Sequence, residues 1–216
     1  MKLLILAANG QIARIVEDRI LTENEFRNVD LTLGLRNSAR LSNLADNSRV
    51  KVIETDLENA ESVNKAVVGQ DMVFVAVVDH DDDNKMTKNV INAMKENNVD
   101  RVIFTNILGI YNEVPGEFGR WNQAQVSSGE QAAIESDKLL SESGLKYTTL
   151  RLPWLNDRDE VKYVVTTRDE QYNGVSGSRQ SVADVVLHIV KDTNYGANDS
   201  LGMADPDTQG LDRPVY

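Results

Sequence analysis

The alternation of strand-length apolar runs with helical patterns predicts an α/β fold, a single doubly wound parallel sheet with helices on both faces. Three observations carry this. The chain opens on a short apolar run that turns through small residues into an amphipathic helix. A nearly unbroken apolar run at residues 72–78 has the composition of a central strand covered on both faces. Between residues 3 and 152 such runs recur with helical spacing between them. The length of 216 residues suits one well-cored domain, and with no internal repeat or low-complexity linker, residues 1–216 are read as one.

Taken in order, residues 3–6 form the first strand, and residues 11–21 place Ile12, Ile15, Val16, Ile20 and Leu21 near helical spacing. Residues 31–35 form strand two, followed by a short helix at 39–44. Strand three at 50–54 leads to a helix at 58–67. Strand four covers 72–78, and the helix at 84–97, with Met86, Val90, Ile91 and Met94 on one stripe, leads to strand five at 101–106. The segment 108–128 carries Gly109, Pro115, Gly116 and Gly119 beside Phe118 and Trp121, and reads as a long irregular connection. Helix returns at 129–142, with Ser127 or Ser128 as its cap, and stops at Ser143-Gly144, where glycine can turn left-handed. Strand six is 146–152. Beyond Pro153 come a strand at 161–166, a helix at 181–191 and a polar tail rich in Gly and Asp.

Composition narrows the partners. A net charge of −11 argues against nucleic acid, whose non-specific binding depends on clustered Lys and Arg. A small anionic ligand needs only a local group of donors and stays compatible with that charge. Apolar stretches are interrupted by charge too often to span a bilayer, so no membrane partner is expected. Met1 starts directly on a strand-like run without the features of a signal peptide, and there is no cysteine, so the expected location is cytoplasmic. Nothing in the sequence assigns an oligomeric state.

The chemistry starts where the first strand enters Ala7-Ala8-Asn9-Gly10-Gln11-Ile12-Ala13 and a helix begins. A dinucleotide pyrophosphate is held at such a turn, because unpaired N–H groups at the helix start face the anion and small residues let it approach the backbone. Taken alone, a turn this poor in glycine fits an ordinary βα connection equally well. Strand two ends in Gly34-Leu35-Arg36-Asn37-Ser38-Ala39-Arg40. An acidic residue here would favour the free ribose hydroxyls of NAD, whereas the planar donor fork of Arg36 suits a 2′-phosphate and points to NADP rather than NAD. The alternative for Arg36 is a solvated loop cation. Asp30 precedes the strand and belongs at the other end of the sheet.

These segments, with Thr55-Asp56-Leu57, Phe74-Val75-Ala76-Val77, Arg101-Val102-Ile103-Phe104-Thr105-Asn106 and Ser143-Gly144-Leu145-Lys146-Tyr147-Thr148-Thr149-Leu150-Arg151-Leu152-Pro153-Trp154, resemble the atypical short-chain dehydrogenases/reductases, specifically the NmrA-like NAD(P)H-binding group. The resemblance covers nearly the whole chain and implies a Rossmann-like fold. It implies that Ala8, Asn9, Gly10, Gln11 and Ile12 meet the pyrophosphate and that Asp56 and Leu57 flank the adenine. Ala76 and Val77 would pass beneath the adenosine ribose and pyrophosphate, with Thr105, Asn106, Pro153 and Trp154 toward the nicotinamide. Ser178-Arg179 resembles the family's segment before its late helix.

Two departures stand out. The first and third glycines of the family's Gly-x-x-Gly-x-x-Gly loop are Ala7 and Ala13 here, and a methyl at position 7 disfavours an unusual backbone angle. The Tyr-x-x-x-Lys pair of standard short-chain dehydrogenases, in which lysine helps tyrosine act as acid or base, is absent; Glu130-Gln131-Ala132-Ala133-Ile134 stands on the helix expected to carry it.

The acidic run Asp79-His80-Asp81-Asp82-Asp83 lacks the spacing of a metal-binding loop and reads as a solvated charge run, with Asp82 or Asp83 at a helix start, bordering the substrate crevice. His188 reads as a packed or partly exposed helical residue. Ser127-Ser128 lacks the Gly-x-Ser-x-Gly elbow of hydrolases. Trp121, Trp154 and Tyr111 suit either a pocket wall or core packing. No metal is expected. The leading reading is an NADPH-dependent oxidoreductase acting on a small carbonyl, quinone or related acceptor, with Tyr111 as the one tyrosine to test as substitute acid. The alternative is a non-catalytic sensor of the NADP/NADPH ratio, supported by the missing Tyr-Lys pair. An epimerase with retained cofactor is disfavoured by the short region after strand six.

Overall fold

The computed structural model describes residues 1–216. In β1 (Lys2–Leu6) Leu3, Leu4, Ile5 and Leu6 are all fully buried, so the two-residue period of a strand requires cover on both faces. One cover is α1 (Gln11–Thr22), whose Ile12, Ala13, Val16 and Ile20 fall on one stripe and pack with the late helix α6 (Arg179–Lys191). On the opposite face α2 (Ala60–Val67), α3 (Lys85–Glu96) and α5 (Glu130–Glu142) bury Val63, Val67, Val90, Met94 and Leu140 against the sheet. No helix is long and apolar enough to cross a membrane.

The remaining strands are β2 (Asp30–Leu35), β3 (Val50–Glu54), β4 (Met72–Val75), β5 (Arg101–Ile107), β6 (Lys146–Leu152), β7 (Trp154–Asn156), β8 (Val164–Thr166), β9 (Ser176–Ser178) and β10 (Asp199–Ala204). Eight of them form one sheet in the order β3-β2-β1-β4-β5-β6-β10-β8, parallel throughout except for β8 on β10; β7 and β9 pair separately in parallel. This is the doubly wound α/β sheet expected from the sequence. The chain leaves β1 toward β2 and β3 on one side and resumes at β4 on the other, so the connections diverge between β1 and β4. Their C-terminal ends open a crevice there, the place where ligands bind in such sheets.

Several features differ from the sequence reading, among them β4, which ends at Val75 rather than residue 78, and β8, which starts at Val164 rather than residue 161. Residues 108–128 are not irregular throughout: α4 (Gly116–Val126) occupies half of them, held by Phe118 stacked on Trp121 and by Trp121 against Trp154. The polar tail supplies β10, parallel to β6, and Gly202 is required within it because a Cβ there would stand 2.9 Å from both Thr166 Oγ1 and the Tyr172 ring. Neither Ser127 nor Ser128 caps α5; its N-cap is Gly129, without a side-chain bond. At the other end of α5 Gly144 takes φ 78°, the left-handed stop that its sequence suggested.

Candidate functional site

The crevice is shaped by the turn from β1 into α1. Ala7 adopts a left-handed backbone, φ 59°, closed by the Gly10 N–H donating to the Ala7 carbonyl at 3.0 Å. Ala8 is buried, and its N–H donates to the Gly34 carbonyl on β2 at 3.1 Å, tying the turn to the sheet. The Gln11, Ile12 and Ala13 amides at the start of α1 have no partner, and the helix has neither a capping side chain nor an acidic residue in its first turn. The helix dipole and these free donors leave a positive end open to an anion. Gly10 keeps the approach clear: a side chain would project between the Ala7 and Ala76 carbonyls, 3.4 and 3.6 Å from its Cβ.

A cavity of about 650 Å³ extends from this turn across the ends of β2, β3 and β4, within the range of cofactor clefts. Ala7, Asn9 and Gly10 form one wall; Leu35, Arg36, Asn37 and Arg40 another; Thr55, Asp56, Leu57 and Glu58 a third. Because β4 ends at Val75, residues Ala76, Val77 and Val78 leave the sheet and line the cavity with His80, Asp81 and Met86. Arg36 and Arg40 are exposed, and neither guanidinium forms an ion pair or hydrogen bond within the protein. The Thr55 hydroxyl, buried in the third wall, also lacks a partner. Asp56 is committed locally, its Oδ1 accepting from the Glu58 N–H at 3.1 Å. Free amides at a helix start, two unpaired guanidiniums and an orphaned hydroxyl around one cavity form a donor set that fits an anionic dinucleotide.

Of the residues singled out in the sequence, Asn9, Gly10, Arg36, Asp56, Leu57, Ala76 and Val77 line this cavity. Ile12 is buried in the core behind it and Gln11 is exposed at the helix start. Thr105, Asn106, Pro153 and Trp154 lie outside its wall. Thr105 Oγ1 donates to the Val75 carbonyl at 3.1 Å and Asn106 Nδ2 to the Ala133 carbonyl at 2.9 Å, so both hold β5 to its neighbours. Trp154 Nε1 donates to Asn122 Oδ1 on α4 at 2.9 Å, and Pro153 packs against Gly177. Arg40 was not singled out, although its spacing of four from Arg36 was a usable signal; the turn of 3₁₀ helix at Ser38–Leu44 brings both to one wall.

The acidic run is not solvated throughout. Asp79 is buried and accepts from the Thr87 N–H at 2.9 Å, the Thr87 hydroxyl at 2.8 Å and the Asp81 N–H at 3.2 Å. Asp83 accepts from the Lys85 N–H at the start of α3. Tyr111 stands apart from the cavity: its hydroxyl donates to the buried Asp137 of α5, and its ring lies beneath the Arg151 and Arg168 guanidiniums, 5.4 and 5.7 Å from the centroid. Burial and the Asp137 carboxylate push its hydroxyl well above the usual phenol range. Tyr111, the one tyrosine named for testing as a substitute acid, thus holds its proton tightly and outside the cavity wall.

Comparison with known proteins gives the same fold and the same class of ligand. The family described as NAD(P)H-binding matches residues 7–193. The chain is similar, at 28% identity and a TM-score of 0.91, to a wide-type short-chain dehydrogenase/reductase from Veillonella parvula solved in complex with NADP, with 100% of this chain and 99% of that one covered. It is also similar to a Rossmann-fold NAD(P)-binding family protein from Shigella flexneri, at 30% identity and a TM-score of 0.79, covering 100% and 98% of the two chains. An anaerobilin reductase from Escherichia coli O157:H7 shares the fold at 18% identity, with a TM-score of 0.78 over 98% and 100%.

Proposed function

The chain belongs to the NAD(P)H-binding family, and on that premise we propose that it binds NADP(H) ahead of NAD(H) and reduces a small carbonyl, quinone or related acceptor. The observation that carries the cofactor preference is the pair of unpaired guanidiniums, Arg36 and Arg40, on the wall formed by the end of β2. Two planar donor forks with no carboxylate partner favour a ligand phosphate over a bare ribose. In this reading the Gln11, Ile12 and Ala13 amides hold the pyrophosphate, Asp56 and Leu57 flank the adenine, and Ala76 and Val77 run beneath the ribose. The ends of β5 and β6, with Thr105, Asn106, Pro153 and Trp154, shape the nicotinamide end through their backbone, because their polar side chains are committed within the protein.

When bound, the reduced nicotinamide supplies hydride, while the protein contributes orientation and a dry wall. The Veillonella relative in complex with NADP supports the cofactor, and its class supports a redox role. The absent Tyr-x-x-x-Lys pair and the sequestered Tyr111 favour one other reading, a dinucleotide sensor that binds without turnover.

Calorimetric titration with NADPH, NADP, NADH and NAD tests the preference on the parent, Arg36→Ala and Arg40→Ala. Losing one charge-assisted contact removes about 1.5–3 kcal/mol, so each variant should lose roughly 10- to 100-fold for the phosphorylated forms and little for NADH. An equal loss for both cofactor types, or no binding by the parent, would refute the assignment. Binding without NADPH consumption across aldehydes, ketones and quinones would favour the sensor.

A further inference from the structure

We propose that His80 is the proton donor to the acceptor, an inference that rests on the reductase reading. With Tyr111 bound to Asp137 and the Tyr-x-x-x-Lys pair missing, a reduction of a carbonyl must take its proton from water or from another acid near the crevice. Among the side chains lining the cavity, His80 is the only imidazole, and histidine alone ordinarily changes charge between about pH 5 and 8. It is exposed, lies in the loop leaving β4 at the topological switch, and reaches the start of α5. Its Nδ1 lies 2.7 Å from where a Cβ on Gly129 would stand, so the missing side chain at Gly129 makes room for the ring.

The loop that carries His80 is built to hold it there. Asp79, immediately before it, is buried on Thr87, and the Thr87 hydroxyl lies 2.8 Å from Ser136 Oγ on α5. Asn84, four residues later, is fully buried in a left-handed conformation, φ 48°, and its Nδ2 donates to the Ala132 carbonyl of α5 at 2.9 Å. One end of the loop is thus held to Thr87 of α3, which in turn meets Ser136 of α5, and the other end directly to α5, with His80 between them on the cavity wall.

The charged groups around the ring come from every neighbouring element. Asp81, Asp82 and Asp83 follow on its own loop, Glu130 adjoins Gly129 on α5, and Arg36, Arg40, Asp56 and Glu58 line the cavity walls. In the reaction, hydride reaches the carbonyl carbon, the π pair moves to oxygen, and the imidazolium N–H bond breaks as an O–H bond forms. The two electrons are those of the reduced nicotinamide, the product is the alcohol or hydroquinone, and water reprotonates the neutral imidazole. Activity should therefore depend on the imidazole carrying its proton.

Two measurements test this. The chain has two histidines, and His188 lies on α6 stacked against Tyr195, away from the cavity. Proton NMR of the imidazole resonances during NADP addition should move the His80 signal and leave His188 in place. Turnover of NADPH with menadione and p-nitrobenzaldehyde should drop about 100-fold or more in His80→Gln, the range of general acid catalysis, and lose its descending alkaline limb. Gly129→Ala, which retains the imidazole but displaces it, should fall in kcat with the cofactor Kd within about twofold, and Tyr111→Phe should keep parental turnover. NADP binding that leaves the His80 resonance unmoved, a His80→Gln variant with the parental pH profile, or no turnover with either acceptor would overturn the proposal. Absence of NADP binding would instead overturn the cofactor reading beneath it.

Discussion

Replacing Ala7 by glycine should stabilise the protein, the reverse of what removing a methyl usually does. At φ 59° Ala7 occupies the left-handed region, which costs an L-residue about 1–2 kcal/mol. Glycine relieves that strain but widens the unfolded ensemble, returning about 0.4–1 kcal/mol. It also gives up a half-buried methyl, roughly half of the 0.8 kcal/mol of a buried CH₂. The balance is a gain of about 0.4 kcal/mol, or about 1–2 °C in Tm at 2–4 °C per kcal/mol for a chain of this size. Ala8→Gly is the control. Ala8 is fully buried and does not have a positive φ, so it bears the same entropy and a whole methyl without relief, a loss of about 1.5 kcal/mol and roughly 3–6 °C. Differential scanning calorimetry on the apo proteins measures both shifts. If Ala7→Gly melts below the parent, and as far below as Ala8→Gly, the turn is not strained and the left-handed geometry has no energetic weight.

Two further perturbations probe the buried charges. Burial raises the Glu17 carboxyl from its ordinary 4.5 to about 8 despite Arg14 at 3.0 Å. The folded state therefore holds this proton more tightly than the unfolded chain; the resulting stability is complete below the unfolded value and is lost as pH rises through about 8. Urea melts at about pH 5 and about pH 9 should show the parent weakening at alkaline pH and Glu17→Gln weakening less; parallel profiles would contradict the burial argument. Arg151 is buried and pairs at 2.9 Å with Glu113, which also accepts the Gly109 and Tyr111 N–H groups at 3.0 Å and so pins the loop after β5. Arg151→Met leaves a buried carboxylate unpaired and should lose about 3–5 kcal/mol, whereas a loss under about 1 kcal/mol would mean that the pair is hydrated or replaceable.

The sheet and half of the cavity wall were legible because they depend on local pattern. The apolar runs Leu3–Leu6 of β1 and Met72–Val75 of β4, the stripe of α1, and the placement of Arg36 after β2 all follow from spacing along a short stretch. What escaped depends on partners distant in sequence. In α4 two glycines and a sparse apolar stripe weaken the intrinsic helix signal, and contacts with Trp154 on β7 hold the segment. β10 contains Asp199, Ser200 and Gly202, poor strand formers by composition, and exists because β6 offers a parallel partner on its free side. The acidic run misled in the same way: Asp79 is one of four aspartates within five residues, and only the arrival of Thr87 in space separates the buried one from the solvated ones.

The same distinction divides the site. Any chain with strand order β3-β2-β1-β4 places the start of α1 at the switch point, so the dinucleotide end follows from topology. The acid at the other end does not. In standard short-chain dehydrogenases the helix after β5 would present the tyrosine and lysine, whereas here the corresponding helix, α5, presents the Ala132 carbonyl and the Ser136 hydroxyl to Asn84 and Thr87. Those contacts anchor the loop from β4 against α5 while Asp137 on the next residue holds Tyr111 away from the crevice. A helix that elsewhere supplies the acid thus acts here as the support for a different loop, and the residue that this support brings to the crevice is His80.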